Sequence, residues 1–196
     1  MTAKKIMEIA LHHFAQNGYE GASLRDISAE VGIKKPSIYN HFKGKDELFM
    51  AVYQDVAAKE LSFVEEYLKP DSKSTFKTQL YDFLIQYMER YEREEETKFF
   101  LRMSFFPPTH LRMESMKLSM GYVDKMTDLA RVLFTSAENP GSIGLNVSIE
   151  QATGAYMAIL DSVFVEMLYG DKERALKRLE ASWHVFWQGI RQEEQE

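Results

Sequence analysis

The chain of 196 residues contains no cysteine. Without thiols it has no disulfide framework, no thiolate zinc site and no cysteine nucleophile, and the composition fits a reducing cytosol. Proline is scarce, confined to Pro36, Pro70, Pro107, Pro108 and Pro140, and there are only ten glycines. No apolar run approaches the roughly 20 residues that a membrane helix needs. The first residues, MTAKKIMEIALHHFAQ, interleave charge and histidine with apolar positions, which argues against a secretory signal. The expectation is a soluble, cytoplasmic protein. A Gly-rich phosphate loop, a nucleophile elbow and a metal-spaced cluster of His, Asp and Glu are all missing, so neither an enzyme nor a metal or cofactor is expected. There is no internal repeat and no low-complexity tract. A chain of this length can bury about 70% of its unfolded surface and needs no covalent or metal staple.

What is present is unevenly distributed charge. The net charge is −6. Residues 1–50 hold seven Lys/Arg and six Asp/Glu, a balance of +1, so the remaining residues carry −7. Residues 31–45 contain Lys34, Lys35, Lys43 and Lys45 and no acid. An acidic body with one basic edge repels phosphate except at that edge, although four lysines alone also describe a solvated face.

Between the few breakers the apolar spacing is helical, and no alternating Val/Ile/Thr-rich segment bounded by turns occurs. The chain reads as all-α, with about nine helices. The first is expected over about residues 3–16, ended by Asn17-Gly18, which tolerate the left-handed conformation. Ser23-Leu24-Arg25-Asp26 has the form of a capping box, with Asp26 reaching back, and opens a short helix carrying Leu24, Ile27 and Val31. Gly32 makes a turn, and a third helix follows with Pro36 in its first turn. Asp46 starts a long helix expected to stop at Pro70. Further helices are expected near 74–93, 96–105, 109–137, 148–169 and 172–192, with a loop over Glu138-Asn139-Pro140-Gly141-Ser142.

Two short helices joined by a tight Gly turn and braced by a preceding helix make a helix-turn-helix. The second helix of such a unit enters the major groove. Here it begins Lys34-Lys35-Pro36-Ser37-Ile38-Tyr39-Asn40-His41-Phe42. Ile38 and Phe42, four apart, pack inward and leave Lys35, Ser37, Tyr39, Asn40 and His41 to line the outer surface. Tyr39 has the alternative of packing between helices. His12 and His13 are adjacent, hence on different sides of their helix, and read as structural or surface histidines rather than metal ligands.

The stretch GYEGASLRDISAEVGIKKPSIYNHFKGKDELF resembles the amino-terminal signature of the TetR family of bacterial transcriptional regulators. Its most specific part is the succession Ile38-Tyr39, His41-Phe42, Lys45 and Leu48 after the Val31-Gly32-Ile33 turn. The resemblance covers about residues 4–53; beyond them only length and helix content match. It implies a DNA-binding domain over residues 1–46 and a helical ligand-binding and dimerisation domain over 47–196. It further implies that Tyr39, His41 and Lys45 hold the phosphate backbone, helped by the helix N-terminus beside Lys45 and by the hydroxyls of Ser23 and Ser37. Arg25 stands where some members reach a base edge. Lys35, Pro36 and Asn40 stand where sequence is read, Asn40 being suited to adenine and Lys35 to guanine. Lys34, also among the DNA-binding candidates, replaces a small capping residue and Asn40 an aromatic or basic one, which loosens any inference about the operator.

The remainder is rich in Met, Phe, Tyr and Leu. At helical spacing such residues are core more often than pocket, yet their density favours a cavity. The resemblance puts that cavity among the middle helices, with Phe99, Met103, Phe106, Tyr122, Met126, Tyr156 and Phe164 as candidates. Asp161 interrupts the apolar run AYMAILDSVFVEML. It is either a counter-charge for a cationic or hydrogen-bonding ligand, or, with more weight, a surface carboxylate or one side of a salt bridge across a dimer. Pro107 and Pro108 break the chain as a mobile connection or an ordinary loop. Leu176, Leu179, Trp183, Phe186, Trp187 and Ile190 recur at helical intervals, and Val163, Met167 and Tyr169 join them from the helix before. They close the core or, as we expect, form a homodimer interface, which paired DNA half-sites would also require. The function implied is a sequence-specific repressor of double-stranded operator DNA, released by a small apolar or amphipathic effector. An activator, or an interaction module with a vestigial DNA-binding head, is the alternative.

Overall fold

The computed structural model describes residues 2–69, 74–137 and 144–192, so Pro70 and the loop expected over 138–142 lie outside the described residues. Among the described residues the architecture is all-α, as the spacing indicates. Eight α-helices run in chain order: α1 (Ala3–Gly21), α2 (Leu24–Val31), α3 (Lys45–Tyr67), α4 (Phe76–Arg93), α5 (Glu95–Phe105), α6 (Arg112–Ala137), α7 (Ile149–Tyr169) and α8 (Lys172–Ile190). Two 3₁₀ segments, Lys35–Asn40 and Thr109–Leu111, complete the set. Among the described residues no helix is long and apolar enough to cross a membrane.

By packing, the chain divides into two compact units rather than after residue 46. One comprises residues 1–60 and 93–122, the other residues 61–92 and 123–196. The reason lies in α3, which does not pause after its first turn: Leu48, Phe49, Val52, Tyr53 and Val56 are all buried and belong to the first unit.

In the first unit, α1 buries Ile6, Ala10 and Phe14, one face at four-residue spacing. Gly18 breaks its helical dihedrals with φ 66°, where the Asn17-Gly18 signal lies, and one further turn runs on to Gly21. Phe14 meets Phe49 edge-on at 5.2 Å, and Phe49 meets Phe99 of α5 at 5.9 Å. The Tyr53 hydroxyl is satisfied by Ser104 at 2.8 Å and Ser119 at 2.7 Å, so this buried polar group is paired. His12 Nδ1 lies 3.0 Å from Glu95, which also accepts from Gln16, and His13 Nε2 lies 2.9 Å from Glu30. Both histidines tie α1 to a neighbouring helix.

In the second unit, α7 begins with a capping box between Ser148 and Gln151, and α8 with Asp171 accepting from the Arg174 amide. Phe134 of α6, Tyr156 of α7 and Phe186 of α8 pack together, and the Tyr156 hydroxyl donates to the Leu80 carbonyl at 2.9 Å. Glu166 is buried on α7 and held by Arg174, at 2.9 Å, and by Arg178. Two arginines on one carboxylate offset its desolvation and tie α7 to α8.

Candidate nucleic-acid interface

The local fold around residues 23–45 follows from its caps and turn. Ser23 is extended (φ −127°, ψ 142°), and its hydroxyl oxygen accepts from the Asp26 amide at 3.1 Å. Asp26 does not reach back to the backbone as expected; its carboxylate accepts the Ser23 hydroxyl proton at 2.5 Å. Gly32 ends α2 at φ 81°, ψ 31°, a left-handed conformation that costs glycine nothing. The Ile33 amide then donates to the Ser28 carbonyl at 2.9 Å and closes the turn.

The segment after the turn winds as a six-residue 3₁₀ helix with Pro36 in its first turn and Lys34 as an N-cap that makes no side-chain hydrogen bond. It is too short for α-helical cooperativity, and its entry carries no capping side chain. A 3₁₀ turn repeats every three residues, so Pro36 and Tyr39 share one edge, and Ser37 and Asn40 another. At its end the Phe42 amide donates to the Ile38 carbonyl at 3.0 Å, an α-type step that brings both Ile38 and Phe42 into the core. The inward pair therefore stands where the four-residue spacing puts it.

None of the ten candidate side chains is buried. Arg25, Lys34, Lys35, Pro36, Tyr39, Asn40 and His41 are exposed, and Ser23, Ser37 and Lys45 are partly so. Tyr39 is 51% exposed, which excludes the alternative of packing between helices within this chain.

Lys45 is less free than its neighbours. Its ammonium lies 4.2 Å from the centre of the Tyr19 ring and 3.4 Å from the Glu20 carbonyl. The Tyr19 hydroxyl donates to Asp46, which also lies 3.3 Å from His110 Nε2. Accepting from Tyr19, and then facing His110, holds the Asp46 carboxyl below the usual carboxylate range. Burial first, and then Asp46 and Glu20, push the Tyr19 phenol up. The expectation that the α3 N-terminus draws phosphate needs correction. Its first turn already carries Asp46 and Glu47, and Glu47 accepts from the Lys43 amide at 2.5 Å. Sequence reasoning missed Tyr19, Asp46 and His110, because residues 27 and 64 positions apart give no local pattern.

Residues 6–52 match the family of bacterial regulatory proteins known as the tetR family. A span of 66 residues is 38% identical to the HTH-type transcriptional repressor AcnR of Corynebacterium diphtheriae, covering 34% of this chain and 35% of AcnR. In its amino-terminal domain the chain is similar to the TetR family. The alignment thus spans about a third of that relative's length. The fold match is wider. FadR of Bacillus subtilis, solved with stearoyl-CoA, superposes with a TM-score of 0.70 at 15% identity over 96% of this chain and 100% of FadR. SmeT, the repressor of the Stenotrophomonas maltophilia efflux pump SmeDEF, gives 0.71 at 14% identity over 98% and 92%. At such identities these two establish the fold alone.

Beyond the matched residues the carboxy-terminal candidates are placed unevenly. Phe99, Met103 and Tyr122 are buried in the first unit and Met126, Tyr156 and Phe164 in the second, whereas Phe106 is 48% exposed. Asp161 is exposed on α7. Partial desolvation nonetheless pushes its carboxyl up. Of the residues expected at a dimer contact, Val163, Leu179, Trp183, Phe186, Trp187 and Ile190 are buried in the second unit, and Met167 and Leu176 are half-buried. Their helical spacing marks an inward face, and spacing cannot tell what covers it. Tyr169, also expected at that contact, is exposed, as are Val165 on α7 and Val185 on α8. Among the described residues no group of three or more His, Cys, Asp or Glu is placed to hold a metal ion.

Proposed function

We propose that this chain is a sequence-specific transcriptional repressor that binds double-stranded operator DNA as a homodimer and releases it when a small molecule binds the carboxy-terminal region. The observation that carries this reading is the surface built by residues 23–45. Seven of the ten candidate side chains are exposed, and six of these lie on or beside a 3₁₀ helix within residues 31–45, a stretch with four lysines and no acid. In the major groove Lys35 reads guanine and Asn40 adenine, with Arg25 reaching a base edge from α2. Ser23, Ser37, Tyr39, His41 and Lys45 hold phosphate oxygens, which position the helix without reading sequence.

The dimer follows from two-fold DNA, because paired half-sites one helical turn apart need paired recognition helices. Exposed Val165, Tyr169 and Val185 on α7 and α8 support a partner there, since three large side chains in water on two packed helices gain by being covered. Release requires an effector that binds more tightly to the geometry in which the two recognition helices no longer match the groove; an indifferent ligand shifts nothing. That FadR was solved with stearoyl-CoA supports an apolar or amphipathic effector on this fold.

The test is selection of bound duplexes from a random pool by the purified full chain, then binding isotherms of the selected sequence over a range of salt. The expected result is a defined half-site repeated with two-fold symmetry, and affinity that falls steeply with salt. Lys35→Ala should relax the preference at one base pair. Retention of all duplexes alike would overturn the reading.

A further inference from the structure

On the outer side of the second unit α4 and α8 leave a groove of about 600 Å³, within the size range of small-molecule sites. Its floor is aromatic. Tyr81 meets Trp183 at 5.3 Å, and Trp183 stacks on Trp187 at 5.7 Å with the ring planes 24° apart. Both tryptophans of the chain line this groove. Asp82 and Glu180 stand on its two walls, and neither has a hydrogen-bond or ion-pair partner among the described residues. Both carboxylates lie close enough to Tyr81 to add to the effect of burial in pushing its phenol up. At the other end the Lys77 ammonium rests 5.3 Å from the centre of the Trp187 ring.

The geometry points to a binding site for an organic cation, a quaternary or aromatic ammonium, on Tyr81 and Trp183 between the carboxylates of Asp82 and Glu180. Ring faces carry negative charge density and attract cations, most strongly where water is displaced. The protein's own Lys77 already uses Trp187 in this way. Two carboxylates against one lysine leave the groove with a net negative wall, which favours a cation over an anion of the same shape. A ligand of this class buries apolar surface on the tryptophans and neutralises Asp82 and Glu180, two gains that an uncharged aromatic ligand cannot combine. The site is assembled from residues about a hundred positions apart, and none of them belongs to the pocket candidates drawn from the sequence.

Two ions of equal shape and opposite charge, tetraphenylphosphonium and tetraphenylborate, provide the probe. Each is titrated into the full chain without DNA, so the outcome is independent of the repressor reading. Tryptophan emission reports only this groove, because the chain has no other tryptophan. Saturable quenching by the phosphonium at about tenfold lower concentration than by the borate is expected. The double substitution Asp82→Asn with Glu180→Gln should remove that preference while leaving the melting temperature in place. Lys77→Met should strengthen phosphonium binding several-fold by vacating the Trp187 face. Equal binding of the two ions would overturn the proposal, as would a preference that survives the double substitution.

Discussion

The two units use the same helical chemistry with opposite outcomes for their candidate residues. In the first, the side chains expected to meet DNA project from a short 3₁₀ helix and its flanks, above a core that includes the buried pocket candidates Phe99, Met103 and Tyr122. In the second, nearly all the candidates are themselves core: Met126, Tyr156 and Phe164, and also Trp183, Phe186 and Trp187. A surface that acts by touching a rigid partner such as DNA can be built from residues that contribute little to stability. A helical region that encloses its own aromatics cannot change those residues without changing its fold. Function and stability should therefore separate at the DNA-contact candidates of the first unit and coincide at the buried candidates of the second.

The largest expected effect tests the second half of that contrast. Phe134 is fully buried and meets Phe76, Tyr156 and Phe186. Phe134→Ala should cost about 3–5 kcal/mol by lost transfer energy and an unfilled cavity. Chemical denaturation of the purified chain reads this as a lowered midpoint at an unchanged slope. Tyr39→Ala is its counterpart. It should weaken operator binding uniformly across sequences while shifting stability by no more than about 0.5 kcal/mol, as expected for an exposed side chain. A Tyr39 variant that melts early, or a Phe134 variant that does not, breaks the contrast.

Ser23 lies on the border between the two behaviours, because its hydroxyl caps α2 and stands among the candidate phosphate contacts. Ser23→Ala should cost about 1 kcal/mol of stability through the lost cap. Ser23→Asp keeps the cap but adds charge, so it should retain most of the stability and lose DNA affinity at low salt. If both variants lose affinity only in proportion to stability, Ser23 is a cap alone.

The same asymmetry decides what could be read from the sequence. The turn at Gly32, the cap at Ser23 and the inward pair Ile38 and Phe42 lie within twenty residues, so spacing alone places them. Helix order was legible throughout, since the apolar period is local. What covers an apolar face was not: Trp183 and Trp187 look alike in sequence whether a partner or α4 lies over them. The aromatic groove joins residues 77–82 to 180–188, and the cluster of Tyr19, Asp46 and His110 joins three separate segments. No window of a single helix contains either. The 3₁₀ winding of residues 35–40 also escaped, because the inward spacing of Ile38 and Phe42 is the same for an α-helix.

The smallest effect sharpens the contrast from within the first unit. Asp46 links the start of α3 to Tyr19 and His110 and sits beside Lys45, so it serves the fold while placing a negative charge at the proposed DNA interface. Its carboxyl is held below the usual range in the native state, so the folded chain binds this proton more weakly than the unfolded chain. The resulting stability is fully present above the ordinary carboxylate value near 4 and is lost as pH falls toward the lower native value. Asp46→Asn removes it. The variant should therefore melt slightly below the parent at pH 6, and the gap should close as both are acidified below about pH 4. At pH 7 and low salt the same variant should bind duplex DNA more tightly, because one negative charge has left the proposed interface. A gap in melting temperature that stays constant with pH would assign the effect to Asn at the helix start rather than to the Tyr19 and His110 contacts. Unchanged DNA affinity would place Asp46 outside the reach of phosphate, and Lys45 with it.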